Sequence, residues 1–89
     1  MLRISSDEAG GEWVRYRLDG QISGRWVKLL QRTCESQLKK GLRVTFDLKN
    51  ISFVDRAGIA FLRVFLNRGV EILNALPFIA EQVEREKTE

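Results

Sequence analysis

The side chains that most often carry out chemistry in proteins are scarce in this sequence. Its 89 residues contain no histidine and a single cysteine, Cys34. Ser-His and Cys-His nucleophile pairs are therefore excluded, as is imidazole acid–base chemistry near neutral pH. One cysteine also excludes an intramolecular disulfide and a cysteine-rich zinc site. The sequence predicts neither a metal nor a cofactor.

Carboxylates remain as candidates for acid–base catalysis, because twelve aspartates and glutamates are spread along the chain. Asp47 and Asp55 come nearest to a pair, but they lie at opposite ends of one extended segment. A phosphate-binding loop needs a glycine-rich run between a strand and a helix, and no such run follows a strand pattern here. The sequence therefore predicts a protein that is not an enzyme.

Cationic side chains offer a second kind of chemistry, the binding of anions. The formal net charge is +3, and Arg25, Lys28, Arg32 and Lys39 fall on one side of a predicted helix. Such a stripe can meet the phosphates of nucleic acid or of lipid headgroups. More often it is the solvated back of an amphipathic helix. Nucleic-acid binding through this helix is therefore an alternative hypothesis and not the leading one.

Two hydrophobic periodicities indicate the elements that must position these residues. Period two predicts strands over 2–5, 12–18 and 44–48, with a further extended run over 51–54, and a last strand over 70–73. A turn is expected over 7–11. Helical spacing predicts helices over 24–40, 57–66 and 78–87. Ser23 is the expected N-cap of the first helix, and Gly41 and Gly69 are the expected helix stops.

The order β-β-α-β-α-β-α predicts an α/β fold. Strands separated by single helices pair in parallel through right-handed crossovers, and the first strand adds an antiparallel partner. We therefore expect a mixed, mostly parallel four-stranded sheet with helices packed against it. The chain length fits one domain over 1–89, with a charged tail at about 84–89 that is expected to fray. Without a signal-like N-terminus or a long apolar run, a cytoplasmic location is expected.

The segment from residue 44 to 58, VTFDLKNISFVDRAG, resembles the signature of the STAS (anti-sigma-factor-antagonist) family. A hydrophobic strand ends in Asp47-Leu48, and an apolar step then leads into Asp55-x-x-Gly58 at the start of a helix. Leu18-Asp19-Gly20 and the glycine, strand and proline turn over 69–77 resemble two further landmarks of the family. The resemblance covers most of residues 12–83 and implies a STAS-like fold.

The resemblance implies a bacterial module that docks on another protein and takes part in transcription regulation. Family antagonists bind ATPase-fold anti-sigma kinases, so the implied partner is an anti-sigma factor or an ATPase-type regulator. Other members are accessory subunits of phospholipid-transport ABC systems, and this remains the alternative within binding functions. Regulatory domains of anion transporters also belong to the family.

Two departures from the family pattern change what is implied. In the antagonists, a serine or threonine directly after the motif aspartate is phosphorylated, and the added charge breaks the partner interface. Here that position is Arg56 and the next is Ala57, neither of which accepts phosphate. Phosphorylation at this site is therefore not expected. The family's usual final strand is not found in the sequence, and the middle helix is short.

The expected partner surface is the Asp55 loop together with one face of the following helix. Arg56 and Arg63 are two turns apart and are expected to frame Ile59 and Ala60. Two simpler interpretations stay open: Asp55 acts only as a helix cap, and Gly58 only allows close packing. The predicted site residues are Asp55, Arg56, Ala57, Gly58, Ile59, Ala60 and Arg63.

A sheet that ends early leaves a row of unpaired N–H and C=O groups at its edge, and such an edge recruits another strand unless it is protected. The sequence does not determine the strand order. If the first strand forms the open edge, Arg3 and Ser5 permit a symmetric antiparallel pairing. Weak homodimerisation is therefore expected.

Overall fold

The computed structural model describes residues 2–85, which form four strands and three helices. The elements are β1 (Leu2–Ala9), β2 (Trp13–Ile22), α1 (Arg25–Lys39), β3 (Arg43–Val54), α2 (Arg56–Asn67), β4 (Glu71–Leu73) and α3 (Pro77–Arg85). The predicted α/β order β-β-α-β-α-β-α is confirmed. The last part of the predicted charged tail, 86–89, lies outside the described residues.

The sheet has the strand order β1-β2-β3-β4. β1 runs antiparallel to β2 as a hairpin, whereas β2, β3 and β4 are parallel. The two crossovers progress in the same direction, so their right-handedness places α1 and α2 on one face of the sheet. α3 packs beside α2. Within residues 2–85, the opposite face of the sheet carries no helix.

The first hairpin is longer than predicted. β1 continues to Ala9, and the turn is made at Gly10 and Gly11, which both have positive φ. Three of the four added residues are polar, and they are held by pairing with β2 and not by an apolar pattern. Asp7 lies 3.5 Å from the guanidinium of Arg15 and 3.6 Å from that of Arg17.

The core lies between the sheet and the three helices. Alternate side chains of β2 and β3 point towards the helices, and one side of each helix points back. Of the three helices, α2 contributes the most buried residues, five of its twelve. The largest fully buried side chains of this layer include Leu18, Leu30, Phe46, Leu62 and Phe65.

α2 approaches the sheet most closely at Gly58. A Cβ atom at this position would lie 2.6 Å from Val54 Cγ1 and 2.9 Å from the carbonyl oxygen of Ile22. The second neighbour is backbone and cannot move aside like the end of a flexible side chain. The interpretation of Gly58 as a close-packing residue is thus confirmed, and the start of α2 is fixed against the ends of β2 and β3.

Replacing Gly58 with alanine tests this contact, because helix propensity and close packing change the free energy of unfolding in opposite directions. In an unobstructed helix, alanine would raise the free energy of unfolding by about 1 kcal/mol relative to glycine. At Gly58 we expect a fall of about 1–3 kcal/mol instead, because the methyl group overpacks the helix–sheet contact. Urea unfolding followed by circular dichroism measures the change.

The reverse substitution at an exposed position of α2, Ala60→Gly, is the matched control. It should lower the free energy of unfolding by about 1 kcal/mol through helix propensity alone. A Gly58→Ala variant as stable as the wild type, or more stable, would contradict the close contact.

Candidate functional site

The N-termini of α1 and α2 meet at the carboxylate of Asp55. This residue lies between β3 and α2 with extended backbone. Its Oδ1 accepts a hydrogen bond from the N–H of Gly58 at 2.7 Å, and its Oδ2 accepts one from the N–H of Gly24 at 3.0 Å. Its own N–H donates to the carbonyl of Ile22 at 3.0 Å. One side chain therefore caps α2 and also holds the start of α1.

The prediction of Ser23 as the N-cap of the first helix is wrong. The N-cap is Gly24, with φ 57°, and no side chain caps α1 in the usual way. The N–H of Gly24 is instead satisfied by Asp55, 31 positions further along the chain. A glycine suits this position because its positive φ is strained for other residues.

The predicted site residues differ in how far they are exposed to solvent. Arg56, Ala57 and Ala60 are exposed, and Asp55 and Arg63 are half-buried. Gly58 is buried where α2 packs against the sheet. Ile59, the remaining predicted residue, is buried as well.

The prediction that Ile59 forms part of the surface is wrong. Its side chain is 6% exposed and belongs to the core. At 100° per residue, Ile59 lies on the same side of α2 as Leu62 and Leu66, which are buried and half-buried. The arginines at positions 56 and 63 therefore lie near Ala60 without Ile59 between them.

Sequence reasoning missed two exposed apolar residues near this site. Val64, 52% exposed, follows Ala57 and Ala60 at helical spacing. That spacing was visible in the sequence, but a helix this apolar is typically buried over most of its surface. The exposed row Arg56, Ala57, Ala60 and Val64 is hereafter called the α2 face.

The second missed residue is Phe53, which is 48% exposed and precedes Asp55 by two positions. Its exposure follows from an irregularity in the pairing of β2 with β3. Gly20 pairs with Ile51, but the next residue, Gln21, pairs with Phe53. Ser52 is thus an extra residue in β3, and strict alternation fails beyond it.

The other motif carboxylate, Asp47, has a structural role. It accepts hydrogen bonds from the side-chain amide of Asn74 at 3.1 Å and from the N–H of Lys49 at 3.0 Å. The hydrogen bond from Asn74 is the main cause that lowers the pKa of Asp47, and the bond from Lys49 adds to it. An ionised carboxylate therefore links β3 to the end of β4, and it is not poised to exchange a proton near neutral pH.

Cys34 is fully buried in α1, on the same apolar side as Val27 and Leu30. Burial is the main cause that raises the pKa of its thiol to about 11. The thiol is therefore protonated at neutral pH and has little nucleophilic character.

Residues 2–85 offer no obvious site for a metal. Among them, no three histidine, cysteine, aspartate or glutamate side chains cluster in a way that would hold an ion. In the same part of the chain, no helix has the length and apolar character needed to cross a bilayer.

Removing one oxygen of Asp55 tests its two-helix role. Asparagine caps a helix about as well as aspartate, but its amide group cannot accept the Gly24 N–H with its second polar atom. We expect unfolding free energies in the order wild type, Asp55→Asn, Asp55→Ala, with Asp55→Ala losing about 1–2 kcal/mol. Chemical denaturation measures all three.

Asp7→Asn is the matched control, because Asp7 makes only exposed ion pairs. Its effect should stay within about 0.5 kcal/mol. If Asp55→Asn is as stable as the wild type, the bond to Gly24 does not contribute and the two-helix role is wrong.

Comparison with known proteins identifies the fold. No family model matches the sequence, and neither does any curated protein. Among solved structures, the anti-sigma factor antagonist SpoIIAA in its unphosphorylated form matches with a TM-score of 0.74 at 17% identity, covering 89% of this chain and 79% of that one. An antisigma-factor antagonist STAS domain from Rhodobacter sphaeroides has a TM-score of 0.64 at 20% identity, over 82% and 86% of the two chains.

A third match is an uncharacterized DUF3478-family protein with a SpoIIAA-like fold from Shewanella loihica. It has a TM-score of 0.58 at 15% identity and covers 98% of this chain and 76% of the other. At such identities the likeness concerns the fold. The chain forms a STAS-like domain of the SpoIIAA type, as the motifs over 44–58 predicted.

Proposed function

We propose that this domain is a non-catalytic regulatory module that binds a protein partner in the cytoplasm through the Asp55 loop and the α2 face. The observation that carries the proposal is the exposure of Ala57, Ala60 and Val64 on a helix that is otherwise part of the core. The fold supports it, because two of the similar structures are named as anti-sigma factor antagonists. The proposed partner is accordingly an anti-sigma factor or an ATPase-type regulator.

The composition of the α2 face suits protein docking. Interfaces commonly have an apolar centre with a charged rim. Here small apolar side chains form the centre, and Arg56 and the half-buried Arg63 lie beside them. Alanine side chains also let the backbone of a partner come close. Phe53, exposed next to the loop, adds an aromatic side chain of the kind enriched in binding hot spots.

Arg56 is badly placed to stabilise its own helix. It is the first residue of α2, and no acidic residue lies in the first turn. The N-terminal end of a helix carries partial positive charge, so a cation there is unfavourable. Contact with a partner explains an arginine at this position better than helix stability does.

By the motif resemblance over 44–58, Arg56 corresponds to the position at which the antagonists carry their phosphorylated residue. Neither Arg56 nor Ala57 accepts phosphate, so the proposed module binds constitutively or is regulated by other means. Ala57 in front of Gly58 favours a second candidate within the same class, an accessory subunit of a phospholipid-transport ABC system. The two candidates share the docking surface and differ in the partner.

Two charge substitutions on the α2 face test this surface. Arg56→Glu and Ala60→Glu place a negative charge at exposed positions, where they should leave the circular dichroism spectrum unchanged. We expect each to reduce recovery of the partner from a cytoplasmic extract by about tenfold or more, as for interface hot spots. Mass spectrometry of the recovered protein distinguishes an anti-sigma or ATPase-type regulator from an ABC subunit.

Arg43→Glu, at the exposed start of β3, makes the same charge change as Arg56→Glu away from the proposed surface and should recover the partner like the wild type. Equal recovery of every protein by all four forms would show that the α2 face is not the docking surface.

Self-association is proposed at the free edge of β1. The strand order places β1 at one edge of the sheet, where all eight of its residues pair with β2 alone. Sedimentation should show a weak, concentration-dependent dimer formed by antiparallel pairing of two β1 edges. Ser6→Lys should abolish it, because lysine on an edge strand opposes pairing. A strict monomer at the highest soluble concentration would contradict the proposal.

A further inference from the structure

The basic charge of the protein is concentrated on two helices. α1, α2 and the residues that directly follow them contain a single acidic side chain, Glu35. Most other acidic residues within 2–85 lie on the sheet, in the β1–β2 turn and on α3. The basic residues of the two helices and their C-terminal caps are Arg25, Lys28, Arg32, Lys39, Lys40, Arg56, Arg63 and Arg68.

Glu35 does little to offset this charge, because it is engaged by Arg68. The guanidinium of Arg68 lies 2.9 Å from Oε1 of Glu35. The hydrogen bond from Arg68 is the main cause that lowers the pKa of Glu35, so this acid stays ionised and paired. The positive charge of the rest of α1 is therefore left without an acid on its own helix.

Four of the cations form a ridge along α1. Arg25, Lys28, Arg32 and Lys39 are all exposed. At 100° per residue they fall within an arc of about 60°, and at 1.5 Å per residue the ridge is about 21 Å long. The ridge is therefore long enough to follow a partner helix over several turns.

The ridge borders the seam, or surface groove, along which α1 contacts α2. The Glu35–Arg68 ion pair shows which sides of the two helices face each other. Lys28 precedes Glu35 by two turns and lies on the same side of α1. Val64 precedes Arg68 by one turn on α2, and Ala57 precedes Val64 by two. The groove thus has one basic wall and one wall of small, exposed apolar side chains, and we call it the α1–α2 groove.

The α1 side of this groove carries several basic residues and a single acidic one, Glu35, which is paired with Arg68. The opposite flank of α2 is covered by α3, which carries Glu81 and Glu84. These two acids reduce the field near Arg63. No acidic residue of α3 adjoins the ridge of α1, because α2 lies between the two helices.

We propose that the α1–α2 groove receives an acidic, amphipathic helix of the partner protein. Carboxylates of that helix would contact the α1 ridge, and its small apolar side chains would pack on Ala57 and Val64. This inference rests on the proposed function, since it assigns the chemistry of the partner that docks on the α2 face. Opposite charges across such an interface raise the association rate and reject like-charged competitors.

A protein helix fits this groove better than a membrane or a nucleic acid does. A basic stripe alone can contact phosphates, but membrane-surface sites commonly add exposed aromatic residues at the lipid interface, and single-stranded nucleic acids stack on such residues. The exposed aromatic residues within 2–85 are Trp13, Phe53 and Phe78, none of which belongs to α1 or α2. The wall of small apolar side chains matches the alanine- and leucine-sized groups of a helix. The ridge also contains arginines, whose planar guanidinium groups bind carboxylates in bidentate fashion.

A pair of synthetic helical peptides tests the partner chemistry directly. The first is about 20 residues long, with glutamates along one side and alanine and leucine along the other. The second has glutamine in place of every glutamate. We expect the wild-type domain to bind the glutamate peptide about tenfold more tightly, with affinity that falls as salt is added. Fluorescence anisotropy of labelled peptides measures both effects.

Two double variants with the same net charge locate the binding. Lys28→Glu with Arg32→Glu reverses the centre of the ridge and should abolish the preference for the glutamate peptide. Arg43→Glu with Lys49→Glu changes exposed residues of β3 away from the ridge and should keep it. Circular dichroism verifies that both remain folded. If both double variants lose the preference for the glutamate peptide equally, net charge alone causes that preference and the inference is wrong.

Duplex DNA and vesicles of phosphatidylcholine with phosphatidylserine are the competing probes. If either binds more tightly than the glutamate peptide and depends on Lys28 and Arg32, the groove binds that class of partner and the inference is wrong.

Recovery of the partner from the cytoplasmic extract distinguishes a failure of this inference from a failure of the proposed function. If Arg56→Glu loses it but the ridge double variant retains it, the docking function stands and the acidic-helix inference fails.

Discussion

The Asp55 carboxylate joins two helix N-termini that would otherwise be held only through the sheet. Gly24 and Gly58 each donate one backbone N–H to it, and the N–H of Asp55 donates to the carbonyl of Ile22. The same carbonyl lies where a Cβ on Gly58 would collide. The cap and the close packing of α2 therefore form one unit, and neither can change without moving the other. Because the unit fixes where α1 and α2 begin, it also fixes the direction in which the α2 face points.

The surface chemistry follows from this parallel arrangement of the helices. With their starts held together, the ridge of α1 and the exposed row of α2 run side by side. The Arg68–Glu35 pair connects the same two helices again towards the end of α2. An ion pair this exposed contributes little to stability. Its larger consequence is electrostatic: Arg68 neutralises Glu35, the only acidic residue of α1, and the ridge keeps its positive charge.

Local patterns in the sequence predicted the order of elements, the fold class, the cap at Asp55 and the packing role of Gly58. Each of these depends on residues close together in the chain. The errors concern contacts between distant residues. Ser23 was expected to cap α1, but the acceptor is supplied from the end of β3. β1 was predicted too short, because its second half is held by backbone pairing with β2 and not by an apolar pattern. The exposure of Phe53 follows from the extra residue in β3, Ser52. Hydrophobic periodicity does not predict such an insertion.

The misplacement of Ile59 shows why the docking surface was only partly predictable. α2 is apolar almost all round, so hydropathy alone cannot tell its outer side from its inner side. The outer side is defined by the neighbours, with α1 on one flank and α3 on the other. Gly58 brings the helix close enough to the sheet for five of its twelve residues to be buried. The residues left outside are small, and apolar atoms of this kind are ordinary on protein surfaces. A helix that belongs to the core can therefore also present a docking surface, provided that its exposed side chains are short and have charged neighbours.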